Sequence, residues 1–391
     1  MPLISPQQFQ QAKRLLFMSP LALGDFLYLK TFLGKIKTEY PHLELDIWLD
    51  DNRNNRQSWR LLRSRTIEQW IEEEKDFTRS YGCCDSPGRQ RQQINLAQKL
   101  NYDLVIIQGG NRGRHYSALA RDISPYAFIA AYKGGSRYYG LLDTWDFRHS
   151  DKTYQLNKKT LPENYHVTDR YYQIMRAIAG ITLMPADLMP VLKLPQLPLS
   201  YAIDWLTKQF SDPLRQGPVI FLNHLSTDKK RDWQQKQLFA LIAQIGQSNP
   251  ETRFIINIIK EHRDEISRAV RSSPELQPFQ VAVFTAESHF FELPSLIARA
   301  DLVITVETAI MHFAAATGRP LIAMMRQKKP YWAPPASKTT RVVYTGKKSE
   351  HISDIKVDKI MRAVIAMQKQ LHQLPSVTSP DLADMPPLKR A

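Results

Sequence analysis

Residues able to do chemistry in this chain fall where strands are expected to end. The fullest example is Leu302 to Met325, LVITVETAIMHFAAATGRPLIAMM, in which Glu307, Thr308 and Ala309 open a helix between two unbroken apolar runs. The first N–H groups of a helix lack internal partners and sit at its positive pole, so a helix starting at a strand's carboxyl end offers an anion site. Thr308 adds a hydroxyl, small Ala309 lets a phosphate approach the backbone, and His312, a turn further on, adds a proton donor. Every doubly wound protein contains such units, so this one is equally compatible with a helix start that binds nothing.

A second group follows the apolar run at 219–223, where the loop ending at Trp233 carries Lys229, Lys230 and Arg231 in succession. Such a run is either a solvated surface or, facing the 307 turn, a counter-charge for a diphosphate. Glu261, past the next strand, stands where an acid accepts hydrogen bonds from ribose hydroxyls. Near the N-terminus, Leu23-Gly24-Asp25 follows a short strand. Two roles are open to Asp25: capping the helix that begins there, or accepting a proton at the mouth of a cleft. Arg53, Arg56, Arg60, Arg63 and Arg65 crowd one polar span, and Arg112 and Arg114 sit in the glycine-rich turn after another strand. These form either a solvated face or a grip on substrate phosphates and carboxylates, to which the guanidinium fork is suited. That turn lacks both the Gly-x-Gly-x-x-Gly fingerprint and the Walker lysine.

The elements that must position these residues read as two alternating series. Strands are expected at 15–18, 43–49, 102–108 and 126–131, with helices at 25–40 and 165–181; the stretches 50–65, 82–93 and 133–148 read as polar or irregular. After a proline-rich span the pattern resumes, with strands at 219–223, 253–259, 281–284, 302–306, 321–325 and 342–344 and helices at 232–248, 261–273, 292–300, 307–317 and 353–374. Continuous apolar strands alternating with helices define α/β architecture with parallel sheets. The expected domains are 1–190 and 218–374, joined by a linker over 191–217 that holds a short helix and followed by an irregular tail over 375–391.

Composition narrows the class further. The 391 residues are 43% hydrophobic and 23% charged, as in a globular protein with two ordinary cores. No apolar run reaches the roughly 20 residues of a membrane helix, and residues 1–18 are too polar for a secretory signal. The adjacent Cys83 and Cys84 suit neither a bridge nor a zinc site, which points to a reducing cytoplasm. A formal charge of +15 and a pI near 9.6 favour a polyanionic partner: nucleic acid, an anionic membrane or a phosphorylated substrate. No metal-ligating motif is present, and the basic residues are not interleaved with a nucleic-acid-reading motif.

Taken in order, the motifs resemble glycosyltransferase family 9, the bacterial heptosyltransferases that extend the lipopolysaccharide inner core. The likeness runs through Leu23-Gly24-Asp25, Tyr102 to Gly109 with Ser117, His166 to Tyr171, the cationic loop ending in Trp233, Ile297 to Val303, and Thr308 through His312 to Gly318-Arg319-Pro320. The resemblance implies a GT-B fold: two Rossmann-like domains with parallel sheets facing a central cleft, and no metal or other cofactor. It implies an inverting transfer with Asp25 as general base. The donor, typically ADP-L-glycero-β-D-manno-heptose, would be held in the C-terminal domain by Lys230, Arg231, Glu261, Glu307, Thr308, Ala309 and His312. The acceptor would be an anionic, lipid-linked Kdo–lipid A saccharide, met by Arg53, Arg56, Arg60, Arg63, Arg112 and Arg114. Peripheral contact with the cytoplasmic face of the inner membrane would follow, and no nucleic acid is expected. Two departures stand out. Glu307-Thr308-Ala309 replaces the family's Asp-x-Gly, crowding the sugar-diphosphate region, and Arg231 replaces a lysine. Both leave open another nucleotide sugar or a protein acceptor; a binding protein without catalysis is the alternative of another class.

Overall fold

The computed structural model describes residues 1–49, 58–82, 84–134, 142–210 and 217–373. Strands β1 (Arg14–Met18), β2 (Glu44–Trp48), β3 (Arg79–Tyr81), β4 (Leu104–Ile107), β5 (Phe128–Tyr132) and β6 (Lys152–Tyr154) form one sheet. The second sheet holds β7 (Val219–Asn223), β8 (Arg253–Asn257), β9 (Gln280–Phe284), β10 (Leu302–Val306), β11 (Leu321–Met325) and β12 (Thr340–Tyr344). All pairings are parallel. The strand orders are equivalent: β3-β2-β1-β4-β5-β6 and β9-β8-β7-β10-β11-β12. In each, the order reverses between the first and fourth strands of that sheet, and the crevice at their carboxyl ends is where such sheets bind ligands. The two-sheet architecture implied by the resemblance is thus the one observed.

The helices are α1 (Pro6–Gln11), α2 (Leu23–Glu39), α3 (Ser58–Glu72), α4 (Pro87–Gln98), α5 (Gly113–Ile123), α6 (Asp143–Asp146), α7 (Val167–Ala179), α8 (Gln196–Gln209), α9 (Gln235–Ser248), α10 (Arg263–Ser272), α11 (Glu292–Ile297), α12 (Ala309–Ala316) and α13 (Val357–Gln373). Central strands buried on both faces, such as β4, β7, β10 and β11, match the unbroken apolar runs of the sequence.

Several expectations need correction. The stretch 82–93, read as irregular, contains most of α4; Ser86 caps it by accepting the Arg89 N–H at 3.3 Å. Only Ile94 and Ala97 of that helix are buried, so it carries almost no apolar periodicity. The polar span 50–65 leads into α3, whose buried face, Ile67, Trp70 and Ile71, lies beyond the basic residues. Strands β3 and β6, three residues each at the sheet edges, were not anticipated. In the proline-rich span α8 covers 196–209 and packs on α11.

The halves meet along an aromatic seam. Trp70 is fully buried and stacks on Phe290 at 4.8 Å between centroids, with Phe26, Phe291 and Phe313 edge-on around it. Such ring pairs contribute about 0.5–1.5 kcal/mol each beyond area burial. Gln69 reinforces the contact by accepting the Phe290 N–H at 3.0 Å. On this seam α2 packs against α12, which brings the two sheet-end crevices together.

Candidate active site

On the N-terminal side, the loop after β1 is tied to the loop after β4 by Ser19, whose hydroxyl donates to the Gln108 carbonyl at 2.9 Å. Asp25 stands in the first turn of α2 and serves both of the roles open to it. Its Oδ2 accepts the Ala22 N–H at 3.3 Å, as a helix-start acid does, while Oδ1 accepts a short hydrogen bond from the Tyr171 hydroxyl of α7. Burial, then the Asp25 charge, pushes the Tyr171 phenol far above its ordinary value, so it stays protonated and donates.

Gly24 faces the other half. A Cβ there would meet the His312 ring at 3.4 Å and its Nε2 at 3.8 Å. His312 Nδ1 pairs with the Tyr28 hydroxyl at 2.7 Å, a bond from the C-terminal to the N-terminal half. Burial, with His166 adding to it, pushes His312 down to about 3, so the ring is neutral at physiological pH. His166 also spans the seam: its Nε2 donates to the Ala333 carbonyl at 2.9 Å, leaving Nδ1 to accept from Thr168.

The C-terminal crevice is charged. Thr308 caps α12, its hydroxyl accepting the Ile310 N–H at 3.3 Å. Behind it, Asn223 at the end of β7 donates to Thr305 at 3.1 Å and accepts from Asn257 at 3.0 Å, an amide relay under the helix start. Arg231 donates to the Glu307 carbonyl at 3.2 Å and to the Thr227 hydroxyl at 3.0 Å. Asp228 Oδ2 lies 3.8 Å from Arg231 Nε and 3.6 Å from Arg326 Nη2. Hydrogen bonding from the Lys230 N–H, then these cations, holds the Asp228 carboxyl below its ordinary value.

Of the expected residues, the fold therefore gathers Asp25, His312, Thr308, Ala309, Glu307 and Arg231 about adjoining sheet ends. Lys230 is exposed on the rim, and Glu261 is exposed on the turn after β8. Arg112 and Arg114 lie half-buried past β4, the strand beside β1, and so at the same crevice as Asp25. Arg53 and Arg56 lie outside the described residues; Arg60 and Arg63 fall in α3, with side chains likewise outside them. Tyr28, Tyr171, Asp228 and Arg326 were not anticipated. Arg326 carried a readable signal, since it directly follows an apolar strand next to β10, and Tyr171 and Asp228 lie within two of the stretches that carry the family likeness. Among the described residues no group of three or more His, Cys, Asp or Glu is arranged to hold a metal ion.

Two parallel sheets of equivalent strand order, with a carboxylate at one switch point and a cationic helix start at the other, define a two-lobed α/β protein. The model of glycosyltransferase family 9 (heptosyltransferase) matches residues 100–362, well over half the chain, and the protein belongs to that family. It is 24% identical over 340 residues to lipooligosaccharide heptosyltransferase 2 of Haemophilus influenzae, covering 84% of this chain and 88% of that one. To lipopolysaccharide heptosyltransferase 2 of Escherichia coli it is 23% identical over 334 residues, covering 84% and 87%. In structure it is similar to a family 9 glycosyltransferase from Veillonella parvula (TM-score 0.69, 15% identity, 92% and 97% covered). It is similar also to the E. coli ADP-heptose LPS heptosyltransferase II (TM-score 0.67, 16% identity, 92% and 99% covered). The chain is a glycosyltransferase of the heptosyltransferase kind.

Proposed function

We propose that this enzyme transfers a heptose from ADP-heptose to a hydroxyl of an anionic lipopolysaccharide inner-core acceptor, inverting the anomeric carbon. The observation that supports the reading is the packing of α2, which carries Asp25 in its first turn, against α12, joined by the Tyr28–His312 bond at 2.7 Å. As the acceptor oxygen bonds to the anomeric carbon, its proton passes to Asp25, and the bond to the diphosphate breaks with its electron pair leaving on the nucleotide. Tyr171 orients the carboxylate. Arg231, Thr308 and the free N–H groups of α12 stabilise the charge on the departing diphosphate, with Lys230 on the rim and Glu261 toward the ribose. Arg112 and Arg114, with the basic residues at 53–65, meet the phosphates and carboxylates of the acceptor.

A lipid-linked acceptor places the enzyme on the cytoplasmic face of the inner membrane as a peripheral protein. Its net charge of +15 suits that surface. Among the described residues no helix is long and apolar enough to cross a membrane. Ala309 in place of the family's glycine favours, as the second reading, a related nucleotide sugar. Thermal shift against ADP-, GDP-, UDP- and dTDP-sugars, followed by product mass with the stabilising donor, tests both, because a ligand bound only by the folded state raises Tm. Stabilisation by ADP-heptose and a heptosylated product are expected. A shift with another nucleotide sugar alone would select the second reading, and no shift with any would remove both.

A further inference from the structure

Arg326 is the first residue after β11, at the carboxyl edge beside β10. Its side chain is only 14% exposed and lies between two carboxylates: Nε is 3.6 Å from Glu307 Oε2, and Nη2 is 3.6 Å from Asp228 Oδ2. Glu307, 11% exposed at its side chain, is turned toward this arginine and also accepts its backbone N–H at 3.3 Å. Arg231 reaches the same Asp228 oxygen from the other side. Two guanidinium groups thus converge on one carboxylate oxygen at the start of α12. The Nε atoms of both are buried with no acceptor at hydrogen-bonding distance among the described residues, since their ionic partners stand 3.6 and 3.8 Å away.

Buried donors left at that distance have bonding capacity to give, and a diphosphate has the acceptors to take it up. Asp228 is 42% exposed at its side chain and can turn to water, whereas Glu307 is enclosed. We infer that Arg326 is a second guanidinium clamp on the diphosphate of the donor, and that Glu307 is its positioning residue rather than a sugar contact. The inference rests on the nucleotide-sugar reading and deepens it. It also accounts for the residue that crowds the site when considered from sequence alone: the longer side chain of glutamate is used to reach Arg326.

The test is calorimetric titration of the full-length enzyme with the pairs ADP and adenosine, GDP and guanosine, UDP and uridine. Arg326→Ala should weaken the best-bound diphosphate by about 10- to 100-fold while leaving its nucleoside affinity in place. Arg326→Lys, which keeps a charge beside Glu307, should recover part of the loss because it lacks the fork. Glu307→Gln should give a smaller loss in the same direction, again confined to the diphosphate. Unchanged diphosphate affinity in Arg326→Ala would overturn the inference and spare the transferase reading. Equal loss of nucleoside and diphosphate would reduce Arg326 to a structural role. If Arg326→Ala does not fold, Arg326→Lys decides, and wild-type diphosphate affinity there overturns the clamp. A wild-type enzyme blind to all three diphosphates would sink both readings.

Discussion

The two sheet-end crevices have the same strand order and opposite chemistry. At the N-terminal one, a phenol and a backbone N–H are among the partners of Asp25, and the ring that approaches across the seam is a buried neutral imidazole. At the C-terminal one, Arg231 and Arg326 share Asp228 beside a helix start. Topology sets where each half presents its loops, while the residues past each strand set what those loops do. The proposed transfer would use the difference, one crevice taking up a proton and the other negative charge.

The sharpest way to break this division is at the proton acceptor. Asp25→Ala should lower turnover by about 100- to 10,000-fold with nucleotide affinity unchanged, measured by initial rates and calorimetry; near wild-type rates would remove Asp25 from the reaction. The reverse pattern is expected for Arg231→Ala, about 10- to 100-fold weaker binding of the nucleoside diphosphate, since bonds from a charged donor contribute about 1.5–3 kcal/mol. If instead only acceptor KM moved, the crevices would not divide the work as described. Tyr171→Phe should cost about 10- to 100-fold in turnover and spare donor binding, because a bond to a charged acceptor contributes about 1.5–3 kcal/mol.

The pH dependence of stability sharpens the same contrast. His312 is pushed down to about 3 and His224 to about 4, both by burial, from 6.5. The unfolded chain therefore binds protons that the folded chain does not as pH falls below about 6.5, and stability drops by up to about 1.4 kcal/mol per pH unit for each histidine. Denaturant midpoints between pH 7 and 4 should show this slope, and replacing both by glutamine should flatten it; a slope unaltered in the double variant would assign the acid sensitivity elsewhere. The smallest effect is expected from Tyr28→Phe, which removes one of the bonds between the halves and should cost about 1 kcal/mol in chemical denaturation.

How much of this was legible in the sequence depended on burial and on distance along the chain. The runs at 219–223, 302–306 and 321–325 match β7, β10 and β11 because strands covered on both faces are apolar throughout. Edge strands β3 and β6 and the polar helix α4 bury too little to leave a pattern. Thr308 at the cap of α12 and Arg231 near it were readable because each belongs to one loop following one strand. The pairings of Asp25, Glu307 and His312 were not, since their partners lie 146, 19 and 284 positions away.

Local rules of burial and helix capping, acting between neighbours along the chain, therefore determined from sequence alone the doubly wound architecture, the strand ends, and the residue types there. Which side chains face one another was decided only by tertiary structure, because the aromatic seam around Trp70 and the paired switch points join segments that no local periodicity connects. That packing put a phenol on Asp25, a tyrosine hydroxyl on His312, and Arg326 between Glu307 and Asp228.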